Sequence, residues 1–286
     1  MNLGEFKCML CGATVFRPWL TRCPDNYLQK GCLVNYVECK ACLLVQQHPL
    51  PDDVGALYTD YPVHSSRNLM QRLARRIFHR QVYYRPPACS ADLSLLDYGC
   101  GDGTFLCEMK GRFKSLYGFE PGCSHAEKLS ALLDVPIFSS TENLRQELAG
   151  KIDLITAHFV LEHVSDFQEA FQTFQTLLKL GGTLYVAVPN IRSWEINLFK
   201  KFWHGLDAPR HLAFPDPVHF KMLTDRYGFN IGGTSFAAFP NTLAGSLATV
   251  LSGRCHPLLF MGLILPCWLV SLCAPQGTLI IQMVKA

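Results

Sequence analysis

One stretch constrains this chain more than any other: Leu95-Leu96-Asp97-Tyr98-Gly99-Cys100-Gly101-Asp102-Gly103-Thr104-Phe105-Leu106. The apolar run from Leu93 to Tyr98 reads as a buried strand, and Thr104 to Met109 reads as the start of a helix. Three glycines at alternate positions lie between them. They let the backbone turn tightly and let a ligand approach where a β-carbon would collide. Strand, glycine turn and helix together form the first unit of an α/β fold that binds nucleotides. Glu120 ends a second strand-like run, Ser115 to Phe119, where an acidic side chain can accept hydrogen bonds from both hydroxyls of a ribose.

The 286 residues are enough for one large α/β domain with an appendage. A net charge of +3 is too small to imply a nucleic-acid partner. The cysteines number 13, and many sit in apolar runs. The start, Met1 to Lys7, lacks the apolar core of a signal peptide. These features predict a reducing, cytoplasmic compartment in which most cysteines stay thiols. Residues 1–50 read as a small zinc ribbon. Cys8 and Cys11 form one C-x2-C knuckle, and Cys39 and Cys42 form a second. Two such turns point four thiolates at one tetrahedral centre. Cys23 and Cys32, between the knuckles, are competing ligands. Four protein ligands close a site, so the zinc is expected to be structural. Residues 51–88 read as a linker followed by a basic amphipathic helix, Ser66 to Tyr84. Leu69, Leu73 and Ile77 recur on one face of it, and Arg67, Arg72, Arg75, Arg76 and Arg80 on the other. That charged face is either a solvated surface or a contact for an anionic membrane or a phosphorylated substrate.

Residues 89–286 alternate strand and helix, as a doubly wound seven-stranded sheet requires. Strands are expected near 93–98, 115–119, 135–138, 152–157, 183–188, 229–236 and 278–284. Helices are expected at 104–110, 123–133, 141–148, 166–179 and 216–227, with Gly181-Gly182 closing the fourth of them. Insertions lie near 191–215 and 240–276. From Ile231 to Val284 the one charged residue is Arg254. The uncharged run Pro257 to Ala274 is near the lower limit for spanning a bilayer. A single crossing, however, would put the last strand, Thr278 to Met283, on the wrong side. Two shorter helices broken at Pro266 are expected instead. They are either core or an exposed patch that makes peripheral contact with a membrane or a lipid-linked acceptor.

The spacing G-x-G-x-G after Asp97 resembles motif I of the class I S-adenosylmethionine-dependent methyltransferases. Lys151 to Val164 looks like the fourth strand and following turn of that family, and Leu177 to Asn190 looks like its fifth strand. Asp207-Ala208-Pro209-Arg210-His211-Leu212 resembles a segment of a bacterial subgroup acting on small molecules, some members of which carry a zinc ribbon. The core likeness covers about residues 91–190. Glu162-His163 is similar to a pair in the quinone-biosynthesis O-methyltransferases. Members of that group place another Glu three residues earlier, where this chain has Phe159, which argues against a metal in the active site.

The resemblance implies a Rossmann-like methyltransferase sheet and S-adenosylmethionine as cofactor. Asp97 with Gly99, Cys100, Gly101 and Gly103 would hold the methionine part, Glu120 the ribose, and Pro121 would flank the adenine. The turn from Phe138 to Ser140, where adenine contacts are usual, lacks an acidic residue. His158 would face cofactor and acceptor. An acceptor hydroxyl or acidic carbon needs a base, worth about 10²–10⁴ in rate. His211 and His163 are the candidates; the alternative for His163 is to cap or pack the turn after Glu162. Trp194, Phe202 and Trp203 form either an apolar lid or core. The function implied is O- or C-methylation of a small-molecule or lipid- or sugar-linked acceptor. Two rivals are a zinc-ribbon RNA methyltransferase and a non-catalytic scaffold. The first needs a basic track interleaved with aromatics, which the ribbon lacks. Asp97, the glycine turn and Glu120 argue against the second.

Overall fold

A computed structural model describes residues 5–29, 31–58, 77–78, 81–85 and 90–286. Strands β1 (Phe16–Pro24), β2 (Leu33–Cys39) and β3 (Val45–Gln47) form an antiparallel ribbon. Then β4 (Ser94–Tyr98), β5 (Ser115–Phe119), β6 (Ile137–Phe138), β7 (Ile152–His158) and β8 (Leu178–Pro189) run parallel to one another. The short β9 (Ala213–Phe214) leaves this sheet and pairs with β3. Last come β10 (Phe229–Ala237) and β11 (Thr278–Lys285), and β11 lies antiparallel between β8 and β10. The central order is β10-β11-β8-β7-β4-β5-β6, and the ribbon order is β1-β2-β3-β9.

Eight α-helices of the described residues connect the strands. They are α1 (Thr104–Met109), α2 (Cys123–Leu133), α3 (Thr141–Leu148), α4 (Phe167–Leu177), α5 (Trp194–Phe199), α6 (Pro217–Tyr227), α7 (Pro240–Ser252) and α8 (Pro257–Cys273). Side chains along a strand alternate between faces. Leu96 and Ile155 therefore join one apolar cluster with Phe171 and Phe174 of α4, while Leu95 and Leu154 join another with Leu106 and Leu129. Both faces of the parallel strands are covered, which is why these strands are apolar throughout rather than alternating. The crossover from β4 to β5, with the cofactor-type glycine turn at its start, brings Asp97 and Glu120 to the same edge of the sheet.

Two expectations need correction, and one alternative is resolved. The helix before the fifth parallel strand ends at Leu177, where the Leu178 N–H bonds to the Phe174 carbonyl. Gly181-Gly182 lies inside β8 instead, where Gly181 has φ 73° and the pairing with β7 slips between Ile152 and Leu154. The glycines make a bulge, not a helix stop. The apolar insertion does not break at Pro266, which sits inside α8. It breaks at Gly253, left-handed at φ 75°, and restarts at Pro257, the first position of α8, where a missing N–H costs nothing. Trp203 is core, fully buried with its indole N–H on Glu195 at 3.1 Å, rather than lid. The basic helix expected over 66–84 lies mostly outside the described residues, and Ile77 and Phe78 within it are helical.

Candidate active site

Asp97, one residue before the end of β4, is buried and accepts a 2.9 Å hydrogen bond from the Thr156 hydroxyl of the neighbouring β7. The glycine turn follows with Gly99, Gly101 and Gly103 at φ 76°, 53° and 70°. Their reasons differ. A β-carbon on Gly99 would lie 2.5 Å from Val160, and one on Gly103 would lie 2.5 Å from Leu133, so both are closed in by protein. The Gly101 N–H donates to the Glu120 carboxylate at 2.9 Å, and its carbonyl meets the His125 ring at 2.8 Å. This bond ties the turn after β4 to the end of β5. Asp97, Gly99, Cys100 and Gly101 line a cavity of about 310 Å³.

The aromatic rings of Tyr83, Phe105, Phe159 and Phe239 line the same cavity. Phe159 stands at φ 57°, a region that bulky residues rarely occupy, and its ring stacks on Phe239 at 4.8 Å. His158 also lines the cavity, among the rings of Tyr83, Phe105 and Tyr185. Its Nε2 accepts the Tyr84 N–H at 3.1 Å, so the ring hydrogen belongs on Nδ1, which faces Asp97 at 3.6 Å. Nε2 is thus occupied, and Nδ1 is turned toward Asp97.

The polar side chains of His163, Asp207 and His211 line the cavity as well. His211 Nδ1 lies 2.8 Å from the Gly205 carbonyl, and His163 Nδ1 lies 3.0 Å from the Arg210 carbonyl and 2.7 Å from the Tyr58 hydroxyl. A carbonyl only accepts, so both rings carry hydrogen on Nδ1 and keep a lone pair on Nε2. Burial pushes both histidines down, His211 to about 3. Glu162, fully buried, has no hydrogen-bond partner on either carboxylate oxygen. Burial therefore pushes it up to about 8. Donor atoms of Glu162, His163 and His211 lie within 4.8 Å of one another. The argument against a metal, from Phe159, is thus incomplete: a distant loop brings His211 in as a third donor. Glu162-His163 adjacency was the available signal; nothing local marks Tyr58, Tyr83 or Phe239.

The loop carrying His211 is held from below. Arg210 is buried and forks onto Asp25 of the ribbon at 3.1 and 3.0 Å and onto Asp207 at 3.0 and 2.6 Å. Although burial opposes it, the Arg210 hydrogen bonds hold Asp207 down at about 2. Tyr36 of β2 donates to the His211 carbonyl at 2.9 Å.

The four knuckle cysteines converge. Sγ atoms of Cys8 and Cys42 are 3.5 Å apart and those of Cys11 and Cys39 are 3.6 Å apart, close to the edges of a zinc–thiolate tetrahedron. All four lie within 4.8 Å of one another. The Cys42 hydrogen bond pulls the Cys8 thiol down to about 5. Cys23 is buried elsewhere, in the cluster around Trp203, so it does not compete.

Comparison with known proteins agrees with this geometry. A family model described as a methyltransferase domain matches residues 66–232. The ubiquinone biosynthesis O-methyltransferase of Caulobacter vibrioides is 36% identical over 129 residues, 42% of this chain and 48% of that protein. The mitochondrial enzyme of that name from Mus musculus is 29% identical over 140 residues, 45% of this chain and 38% of that protein. The match spans less than half the length of these curated relatives. Among solved structures, phosphoethanolamine N-methyltransferase 2 of Haemonchus contortus in complex with S-adenosyl-L-methionine superposes with a TM-score of 0.52 at 12% identity. It covers 84% of this chain and 62% of that one, a likeness of fold.

Proposed function

The chain belongs to the methyltransferase-domain family, and from that premise we propose that it transfers the methyl group of S-adenosylmethionine to an oxygen or carbon of a small-molecule acceptor. One observation carries the reading. A single cavity is lined by Asp97 and the Gly99–Gly101 turn, by His163 and His211, and by aromatic rings. The cofactor fits the residues present. Asp97, already fixed by Thr156 and His158, would hold its ammonium group, and Glu120 has lone pairs for ribose hydroxyls beyond the one used by Gly101. Cys100, Gly101 and Pro121 would lie along its length. When bound, it supplies a methyl group activated on a sulfonium. The protein's part is to hold acceptor and methyl in line away from water, which positioning alone makes worth several kcal/mol. The rings of Phe159 and Phe239 favour an acceptor with a flat or apolar body.

His211 is the group proposed to meet the acceptor's reacting atom. Its Nε2 lone pair can take the acceptor proton, and its Nδ1–H is fixed on Gly205. A pKa near 3 makes it a weak base by itself. A second reading is favoured by Glu162, whose two buried oxygens lack partners. Glu162, His163 and His211 fit a divalent cation, with both Nδ1–H groups anchored on carbonyls as in other histidine metal sites. Such a cation would act as a Lewis acid on an acceptor hydroxyl. Cys8, Cys11, Cys39 and Cys42 are proposed to hold one structural zinc.

Titration calorimetry tests the reading. The wild type is expected to bind S-adenosylmethionine. Gly101→Val is expected to lose that binding while keeping its circular dichroism, because valine at φ 53° is strained and crowds the turn. A wild type that binds no cofactor overturns the assignment. Manganese titration of the wild type and Glu162→Gln tests the cation site, and elemental analysis should find about one zinc per chain.

A further inference from the structure

Helix α8 leaves its most continuous apolar face in water. Leu258, Met261, Leu265, Leu269 and Leu272 recur at steps of three and four and share one stripe. They are 75%, 68%, 54%, 54% and 38% exposed. On the other side, Phe260, Leu263 and Ile264 pack into the cluster around Trp203. Val250 and Leu251 of α7 add to the exposed surface. Neither helix contains a charged residue. A helix apolar on every side belongs in a core or at a lipid boundary, and α8 has protein on only part of its circumference.

The charges at its rim identify the occupant. Arg254 stands exposed in the turn between α7 and α8. Asn26 ties the same turn to Lys201: its carbonyl accepts the Cys255 N–H at 3.1 Å, and its side-chain amide donates to the Lys201 carbonyl at 3.0 Å. Lys200 and Lys201 are exposed as well. No acidic residue follows Asp225 in the chain, and the nearby Asp25 and Asp207 are buried on Arg210. Arg254, Lys200 and Lys201 therefore give the rim a positive charge. A second copy of this face would set cations against cations.

We propose that this face docks on the surface of an anionic phospholipid bilayer. The α8 stripe enters the boundary between head groups and acyl chains, and Arg254, Lys200 and Lys201 lie among the phosphates. The helix lies in the plane of the interface; none of the described helices is long and apolar enough to cross a membrane. Asn241 and Thr242, in the first turn of α7, line the active-site cavity, so one helix joins that cavity to the lipid contact. The docking stands whether or not the methyl-transfer reading holds.

Co-sedimentation of the full chain with vesicles tests it, one set pure phosphatidylcholine and the other with about 30% phosphatidylglycerol. The wild type should sediment with the anionic set at low salt and be released as salt rises. Met261→Glu with Leu265→Glu should weaken that partitioning at least about tenfold, with an unchanged melting curve since both sites are exposed. Arg254→Glu with Lys201→Glu should reduce binding on anionic vesicles to the level of the neutral ones. A wild type that stays in the supernatant at low salt overturns the proposal. So does a Met261→Glu, Leu265→Glu variant that sediments like the wild type. A dimer in light scattering that this variant dissociates, without vesicle binding by the wild type, assigns the face to a second copy instead.

Discussion

Glu162 is the residue whose environment demands most explanation. Its carboxyl is fully buried, lacks hydrogen-bond partners, and faces two histidines that are themselves held neutral. Its pKa rises from 4.5 to about 8, so the fold stabilises the protonated form. That contribution is complete below the unfolded value and is lost as pH rises through about 8. The two histidines run the other way: their pKa values are lowered, so their cost appears as pH falls below about 6.5. Cys8, whose thiol is pulled down, runs opposite to Glu162 across the same pH range, so the Glu162 slope is read by difference. Urea unfolding without added divalent cation should show the stability of the wild type relative to Glu162→Gln falling by about 2 kcal/mol between about pH 6.5 and 8. A difference that stays flat would mean that the carboxylate is already compensated. An added cation should bind more tightly as pH rises, since it must displace the proton. How much of the site the sequence discloses depends on where its members lie in the chain. Asp97, the glycines and Glu120 are legible because the strand–turn–helix unit fixes their relation within one local segment. Tyr83 and Phe239 meet the cavity, and Tyr58 meets His163, across long stretches of chain, and no local pattern marks them.

Helix α6 shows both what an element discloses and what it hides. Asp216 followed by Pro217 is a legible start, and the capping bonds are present: the Asp216 carboxylate accepts from the Val218 and His219 N–H groups at 3.0 and 3.3 Å. His219 completes the box by accepting the Asp216 N–H at 2.9 Å on Nδ1. Its Nε2 donates to the Cys42 carbonyl at 2.9 Å, and its Nδ1 also lies 2.6 Å from the Asp216 carboxylate. The cap of a sheet-covering helix thereby grips the second cysteine knuckle, a link between distant segments that no spacing reveals. Arg192 adds a hydrogen bond to the same carboxylate at 3.0 Å. Asp216→Ala should cost about 2 kcal/mol, the upper end for a cap, and chemical denaturation checks it. A loss below about 0.5 kcal/mol would show that water replaces the cap. The misread elements, Gly181-Gly182 and Pro266, share a cause. Glycine and proline announce a departure from regular geometry, but whether that departure is a bulge, a stop or a tolerated kink is decided by the partner strand or helix.

At the scale of the molecule the ribbon is not an appendage. β9, from the acceptor-side insertion, completes the ribbon sheet, and the ribbon's Cys8, Leu10, Val37 and Leu44 share an apolar cluster with the central sheet. The cavity therefore has two walls of different origin. The Asp97–Gly101–Glu120 wall is built by β4, β5 and β7. The His211 wall is held by Tyr36 and by the buried Arg210–Asp25 pair. A buried arginine stays favourable only while its carboxylates stay in place, and breaking such a pair costs about 3–5 kcal/mol. Asp25 keeps its place because β1 and β2 are fixed, and those strands are fixed at Cys39 by the knuckles. Cys39→Ser should therefore release the zinc and loosen one wall selectively. Hydrogen exchange should quicken across residues 204–214, whereas calorimetry should find S-adenosylmethionine affinity within about threefold of wild type, since its wall rests on sheet hydrogen bonds that need no metal. Equal loosening of Gly99–Gly103 would mean that the ribbon supports the whole sheet, and unchanged exchange at 204–214 would mean that Arg210 holds the loop with Asp207 alone.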